Sequence, residues 1–112
     1  MDNRVLGRIG ENAAADVLRA QGCRIRKQNY RCSHGEIDII AEKNNEWMFV
    51  EVKTRQNFKF GRPCEVINRE KKQHIRRTAH AYMDEMGRQG QRPGSYSFHI
   101  MEVVVEHTEY AF

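Results

Sequence analysis

The sequence predicts an α/β domain built on a mixed, largely antiparallel central sheet flanked by helices, in the order α-β-β-β-α-β. Three observations carry this. Residues 3–21 and 69–86 place apolar residues at helical spacing. Residues 35–55 alternate with period two around a polar break. Residues 96–107 alternate again and are rich in Val. The 112 residues favour one domain over 1–112. At this length roughly two-thirds of the unfolded surface can be buried, enough for one sheet with helices packed on it.

In the first helix Leu6, Gly10, Ala13, Ala14, Val17 and Leu18 fall on one side, with Arg8, Asn12, Asp16 and Arg19 on the other. Asp2 or Asn3 caps its start and Gly22 ends it. Gly7, Gly10 and Ala14 are small enough to let the helix approach a sheet closely. Glu11 sits at the border of the apolar side; taken alone, it reads as a rim glutamate paired with a surface Arg. The strand expected at 23–31 carries Arg24, Arg26, Lys27 and Arg31. Those charges fit a solvated edge strand that resists pairing, or equally a contact with phosphates. Ser33-His34-Gly35 turns the chain into the next strand, and a histidine in such a turn is read first as solvated.

The centre of the chain is Gly35-Glu36-Ile37-Asp38-Ile39-Ile40, a turn at Lys43-Asn44-Asn45-Glu46, and Phe49-Val50-Glu51-Val52-Lys53-Thr54-Arg55. Period two puts Ile37 and Ile39 on one face, and Val50 and Val52 likewise. If both apolar faces meet one core, Asp38, Glu51 and Lys53 gather on the opposite side, with Glu36 at the strand's start. Two converging carboxylates suit a hard divalent cation. A neighbouring ammonium can hold an attacking water or offset charge developing on a phosphate. Trp47, Met48, Phe49 and Val50 read as core. Residues 55–67 read as a loop in which Phe58 and Phe60 anchor the chain or stack on bases.

The second helix is capped by Asn68 and has Ile75, Ala79, Tyr82, Met83 and Met86 on its apolar side. Arg69, Lys71, Lys72, Arg76 and Arg77 crowd its first half, as a solvated face or as phosphate contacts. A Gly- and Pro-containing loop from Gly87 to Ser95 leads to the last strand.

Charged residues make up 30% of the chain and hydrophobic ones 39%, which suits a soluble globular protein. The net charge of +4 is compatible with a polyanionic partner. Cys23, Cys32 and Cys64 are odd in number and form no Cys-x-x-Cys, so neither a disulfide framework nor a zinc ribbon is indicated. No apolar run is long enough to span a bilayer, and the start of the chain lacks an apolar signal core. The expected setting is cytoplasmic.

Asp38 followed by Glu51-Val52-Lys53 resembles the PD-(D/E)xK nuclease signature. The fuller string from Gly35 to Ile40 and from Phe49 to Arg55 resembles the YraN-like family of uncharacterised bacterial proteins. The resemblance covers nearly the whole chain. It takes in Gly10-Glu11 with Ala14 and Leu18, then Asn29-Tyr30-Arg31, then Lys72-Gln73 with Ile75 and Ala79, and Phe98. It implies the restriction-endonuclease-like fold, in the branch near archaeal Holliday junction resolvases. It also implies a magnesium- or manganese-dependent nuclease cutting DNA, selective for branched or ended structures, in repair or recombination. Asp38 and Glu51 would then ligate the metal with Glu11 as a further ligand, and Lys53 would orient the water and stabilise the transition state. Lys72, Arg76, Arg55 and Arg31 would contact nucleic acid, and a homodimer is possible. The chain departs from the family at His99, where an acid is usual. Two alternatives keep the fold without cutting: a nucleic-acid-binding module, and a protein-interaction domain whose acids form only salt bridges.

Overall fold

A computed structural model describes residues 2–56, 68–109 and 112 of the chain. Of the loop expected at 55–67, Arg55 and Gln56 belong instead to the strand Glu46–Gln56, because that strand keeps a parallel partner to its end, and 57–67, with Phe58, Phe60 and Cys64, lies outside the described residues. The elements are α1 (Asn3–Ala20), β1 (Arg24–Cys32), β2 (Gly35–Lys43), β3 (Glu46–Gln56), α2 (Arg69–Arg88) and β4 (Ser95–Val105). They form one four-stranded sheet in the order β1-β2-β3-β4. The β1/β2 and β2/β3 pairs are antiparallel and β4 runs parallel to β3. The element order and the mixed sheet are those the sequence predicts.

Local chemistry fixes the ends. Asp2 Oδ1 accepts from the Arg4 amide at 2.7 Å, and Asn68 Oδ1 accepts from the Lys71 amide at 2.8 Å, capping the two helices. Gly22 takes φ +92° just after α1, a conformation other residues resist. The β2–β3 hairpin closes through Asn44 (φ 52°) and Asn45 (φ 63°), the positive-φ pair that matches strand twist in a two-residue turn. The parallel β3/β4 pair requires a crossover, and α2 lies within it.

Each helix covers one face of the sheet. On the α1 face, Ala14, Ala15 and Leu18 pack with Cys23, Ile39, Ala41 and Val50. On the α2 face, Ala79 and Tyr82 pack with Ile37, Ile40, Trp47 and Phe49. This corrects two sequence expectations. Ile37 and Ile39 lie on opposite faces, because the alternation of β2 breaks at Asp38, and the sheet has two cores instead of one. In α1 the stripe turns toward Ala15, leaving Val17 45% exposed. Among the described residues, no helix is long and apolar enough to cross a membrane.

Arg26 belongs to the fold. Its side chain is 7% exposed and lies 3.9 Å over the Trp47 ring. Its Nε donates to Tyr82 Oη at 2.9 Å, and its Nη1 pairs with Glu42 at 2.9 Å. The guanidinium therefore bolts β1 to α2.

Helix α1 approaches β3 closely at Gly10, where a Cβ would overlap Thr54 Oγ1. Gly7, one turn earlier, has open space in the same direction. Gly10→Ala is therefore expected to destabilise the fold by about 1–3 kcal/mol through overpacking. Gly7→Ala should be neutral or stabilise by up to about 1 kcal/mol through helix propensity. Urea denaturation of the two variants, with Thr54→Ala added to rescue Gly10→Ala, measures the contrast.

Candidate active site

The site begins where the sheet opens. The β2/β3 ladder ends at Ile39↔Val50. Beyond that pair β3 continues only with β4, and β2 continues only with β1. On the β1 side the ladder passes from Gln28↔Ile39 to Tyr30↔Ile37 without an Asn29–Asp38 pair, and Asn29 has φ 53°. At this fork Asp38 Oδ2 accepts the Val52 amide at 2.7 Å. A side chain thus supplies the acceptor that a continuing strand would have supplied, so no half-buried amide is stranded. The same break in alternation separates Ile37 from Ile39.

A cleft of about 270 Å³ lies on the α1 side of the fork, lined by Glu11, Asn29, Glu36, Asp38, Val52 and Thr54, with Gly7 at its rim. Glu11 Oε1 accepts from Asn29 Nδ2 at 2.7 Å. Glu36 pairs with Arg31 Nε at 3.4 Å. Glu51 is 15% exposed, and its Oε1 lies 3.4 Å from Lys53 Nζ and 3.0 Å from Lys71 Nζ. Glu11 and Glu36 share the cleft with Asp38, whereas Glu51 and Lys53 do not line it and stand together beside Lys71 of α2.

Burial is the largest influence on the Asp38 carboxyl and pushes its pKa up to about 6. The Val52 hydrogen bond opposes this, and the neighbouring carboxylates Glu51, Glu11 and Glu36 add to it. Glu11 is also raised, chiefly by burial, while hydrogen bonds from Gln28 and Asn29 hold it back. The fork thus concentrates negative charge that a bound cation would relieve. Among the described residues no group of three or more His, Cys, Asp or Glu side chains is drawn close enough to enclose a metal. The oxygens that the cleft itself offers are the carboxylates of Asp38, Glu11 and Glu36. Such oxygens suit a hard cation completed by water and substrate oxygens.

The remaining expected residues spread outward. Lys72 and Arg76 are exposed on α2. Arg55 Nε lies 4.0 Å from Glu102 on β4. Arg31 stands at the cleft's outer rim through Glu36. His34 lines a separate hollow at the β1–β2 turn. His99, paired in register with Val50, lies on the α1 face but does not line the cleft; its Nε2 is 2.7 Å from Ser97 Oγ, which donates to Glu46 at 2.6 Å. Sequence reasoning missed Lys71, preferring its neighbour Lys72. The signal was present: Lys71 precedes Ile75 by four residues and Ala79 by eight, so it continues the sheet-facing stripe. It also missed Asn29, whose left-handed backbone aims its amide at Glu11.

The molecule is thus an α/β domain with a carboxylate-lined cleft at the fork of a mixed sheet. The model of the uncharacterised protein family UPF0102 matches residues 10–104, and the chain belongs to that family. It is 42% identical over 103 residues to a UPF0102 protein of Caldicellulosiruptor saccharolyticus, covering 92% of this chain and 85% of the relative. It is 40% identical over 109 residues to one from Moorella thermoacetica, covering 97% and 88%. Over 83 residues it is 45% identical to one from Clostridioides difficile, covering 74% and 73%.

The raised Asp38 value has a direct consequence for stability. Below about pH 4 this carboxyl is protonated in both the folded and the unfolded chain, and contributes nothing. As pH rises from about 4 to about 6 the unfolded chain ionises first, so folding stability falls; above about 6 the loss is complete. Asp38→Asn should therefore stabilise the chelator-treated protein by about 1–2 kcal/mol at pH 8, allowing for partial exposure, and by nothing near pH 4. Chemical denaturation at the two pH values checks the sign.

Proposed function

We propose that the chain is a metal-dependent nuclease that hydrolyses DNA phosphodiester bonds in the cytoplasm, structure-selective for branched or ended DNA and serving repair or recombination. The observation that carries this reading is the fork itself. Asp38 is fixed by the Val52 amide where the strands part, and Glu51 and Lys53 follow on the adjacent strand. The resemblance to the PD-(D/E)xK signature and to the restriction-endonuclease-like fold supports it.

The donors are hard oxygens, which fit magnesium or manganese. When bound, the cation would polarise the scissile phosphate and lower the pKa of an attacking water. The chain's own residues do the rest. Asp38 and Glu51 would hold the cation, with Glu11 as a further ligand. Lys53 positions the attacking water and offsets charge on the pentacovalent phosphate, and Lys71 adds a second cation from α2. Before a metal can share Glu51, its Oε1 must loosen from these two lysines. Lys72 and Arg76 on α2, with Arg55 and Arg31 on the strands, would contact the backbone of the substrate.

One observation favours a second reading, a nucleic-acid-binding module that does not cut. Glu51 Oε1 is already satisfied by both Lys53 and Lys71, as in a closed salt-bridge cluster.

The test is cleavage of labelled linear, flapped and four-way-junction DNA with magnesium, manganese or chelator. Cutting should require the metal. Lys53→Ala should slow it by about 10²-fold or more, and Lys71→Ala by about tenfold. Full activity in Lys53→Ala would remove the catalytic assignment. Metal-independent binding without any cutting by the wild type would establish the second reading.

A further inference from the structure

A groove of about 880 Å³ runs between the outer edge of β1 and the second half of α2. Arg24, Lys27 and Arg31 line it and are exposed, and Arg26 forms part of its floor. Glu85 is the acid along it, held by Tyr30 Oη at 3.2 Å. Arg24 and Arg26 both pair with Glu42, which lies outside the lining. Lys27 is exposed and forms no ion pair among the described residues. Asn29, at the edge of β1, lines both the groove and the carboxylate cleft.

We propose that this groove seats the phosphodiester backbone of the nucleic acid flanking the cleft. The inference rests on the reading of the cleft as a nucleic-acid site and names where the rest of the substrate lies. Arg24 to Arg31 span at most about 23 Å at roughly 3.3 Å per residue, shortened by the irregularities at Ile25–Lys27 and at Asn29. That corresponds to at most about seven base-pair steps of a duplex at ~3.4 Å each. The cations are spread along the length of the groove instead of clustering at one point, as tracking a polymeric anion requires. The cations of an edge strand can also serve only to prevent pairing with another chain. That role needs no groove between the strand and α2, and it predicts no share in nucleic-acid affinity.

The deciding measurement is fluorescence anisotropy of a labelled duplex and a labelled four-way junction, in chelator so that nothing is cut. The proteins are the wild type, Arg24→Glu/Lys27→Glu, Lys27→Ala, and Arg19→Glu as a control on the exposed side of α1. The double variant should bind at least tenfold more weakly and lower the salt slope by about 2, and Lys27→Ala should lower it by about 1. The control should stay within twofold. Wild-type affinity in the double variant would overturn the groove alone, and cleavage that still depends on Lys53 would then leave the nuclease reading standing. No binding of either DNA by the wild type at low salt would overturn both. If the double variant fails to fold, Lys27→Ala decides the matter, because its side chain is exposed.

Discussion

One hydrogen bond organises the site: the Val52 amide donating to Asp38 Oδ2 at 2.7 Å. A sheet that opens must leave backbone groups without strand partners, and a half-buried amide without an acceptor costs about 1–3 kcal/mol. Here the acceptor is a carboxylate. That choice lets β2 and β3 diverge beyond Ile39 and Val50 without that cost, and it fixes the orientation of an acid at the point of divergence. The opening and the acid are one feature. A neutral acceptor could close the hydrogen bond, but it would bring no charge to the cleft.

The two cores hold this fork steady. Ile39 and Val50, the last pair of the ladder, are fully buried against α1, and Ile37 and Phe49 are buried against α2. The fork is thereby clamped from both faces, and Arg26 ties the edge strand to α2 beneath the groove. Against that rigidity stands an electrostatic cost. Burial and three neighbouring carboxylates raise the Asp38 pKa to about 6. A chain selected for stability alone would hold a neutral residue there. In the proposed function, a bound cation would offset that cost.

Much of this was legible in the sequence. The two helices, the hairpin and its Asn44-Asn45 turn follow from periodicity and from residues that tolerate positive φ. The placing of Asp38 on β2 and of Glu51 and Lys53 on the adjacent β3 follows from the period-two pattern. What the sequence hid was the break in alternation. Ile37 and Ile39 read as face-mates, since period two is a property of regular strands and nothing in Ile37-Asp38-Ile39 marks an irregularity. Lys71 was hidden by a rotation of about 100° per residue; only the helix's phase against the sheet separates it from Lys72. The two roles open for the β1 cations were divided by tertiary contact alone, Arg26 going to the fold and its neighbours to the surface.

The central claim is that Asp38 and Glu51 together hold a divalent cation at the fork. The most direct measurement is anomalous diffraction at the manganese edge from crystals of the wild-type protein soaked in manganese with a short oligonucleotide. The account predicts a peak bridged by the Asp38 and Glu51 carboxylates, with Glu51 turned away from Lys71. A saturating soak that gives no peak between those two carboxylates, with Glu51 still bound to Lys53 and Lys71, would contradict it.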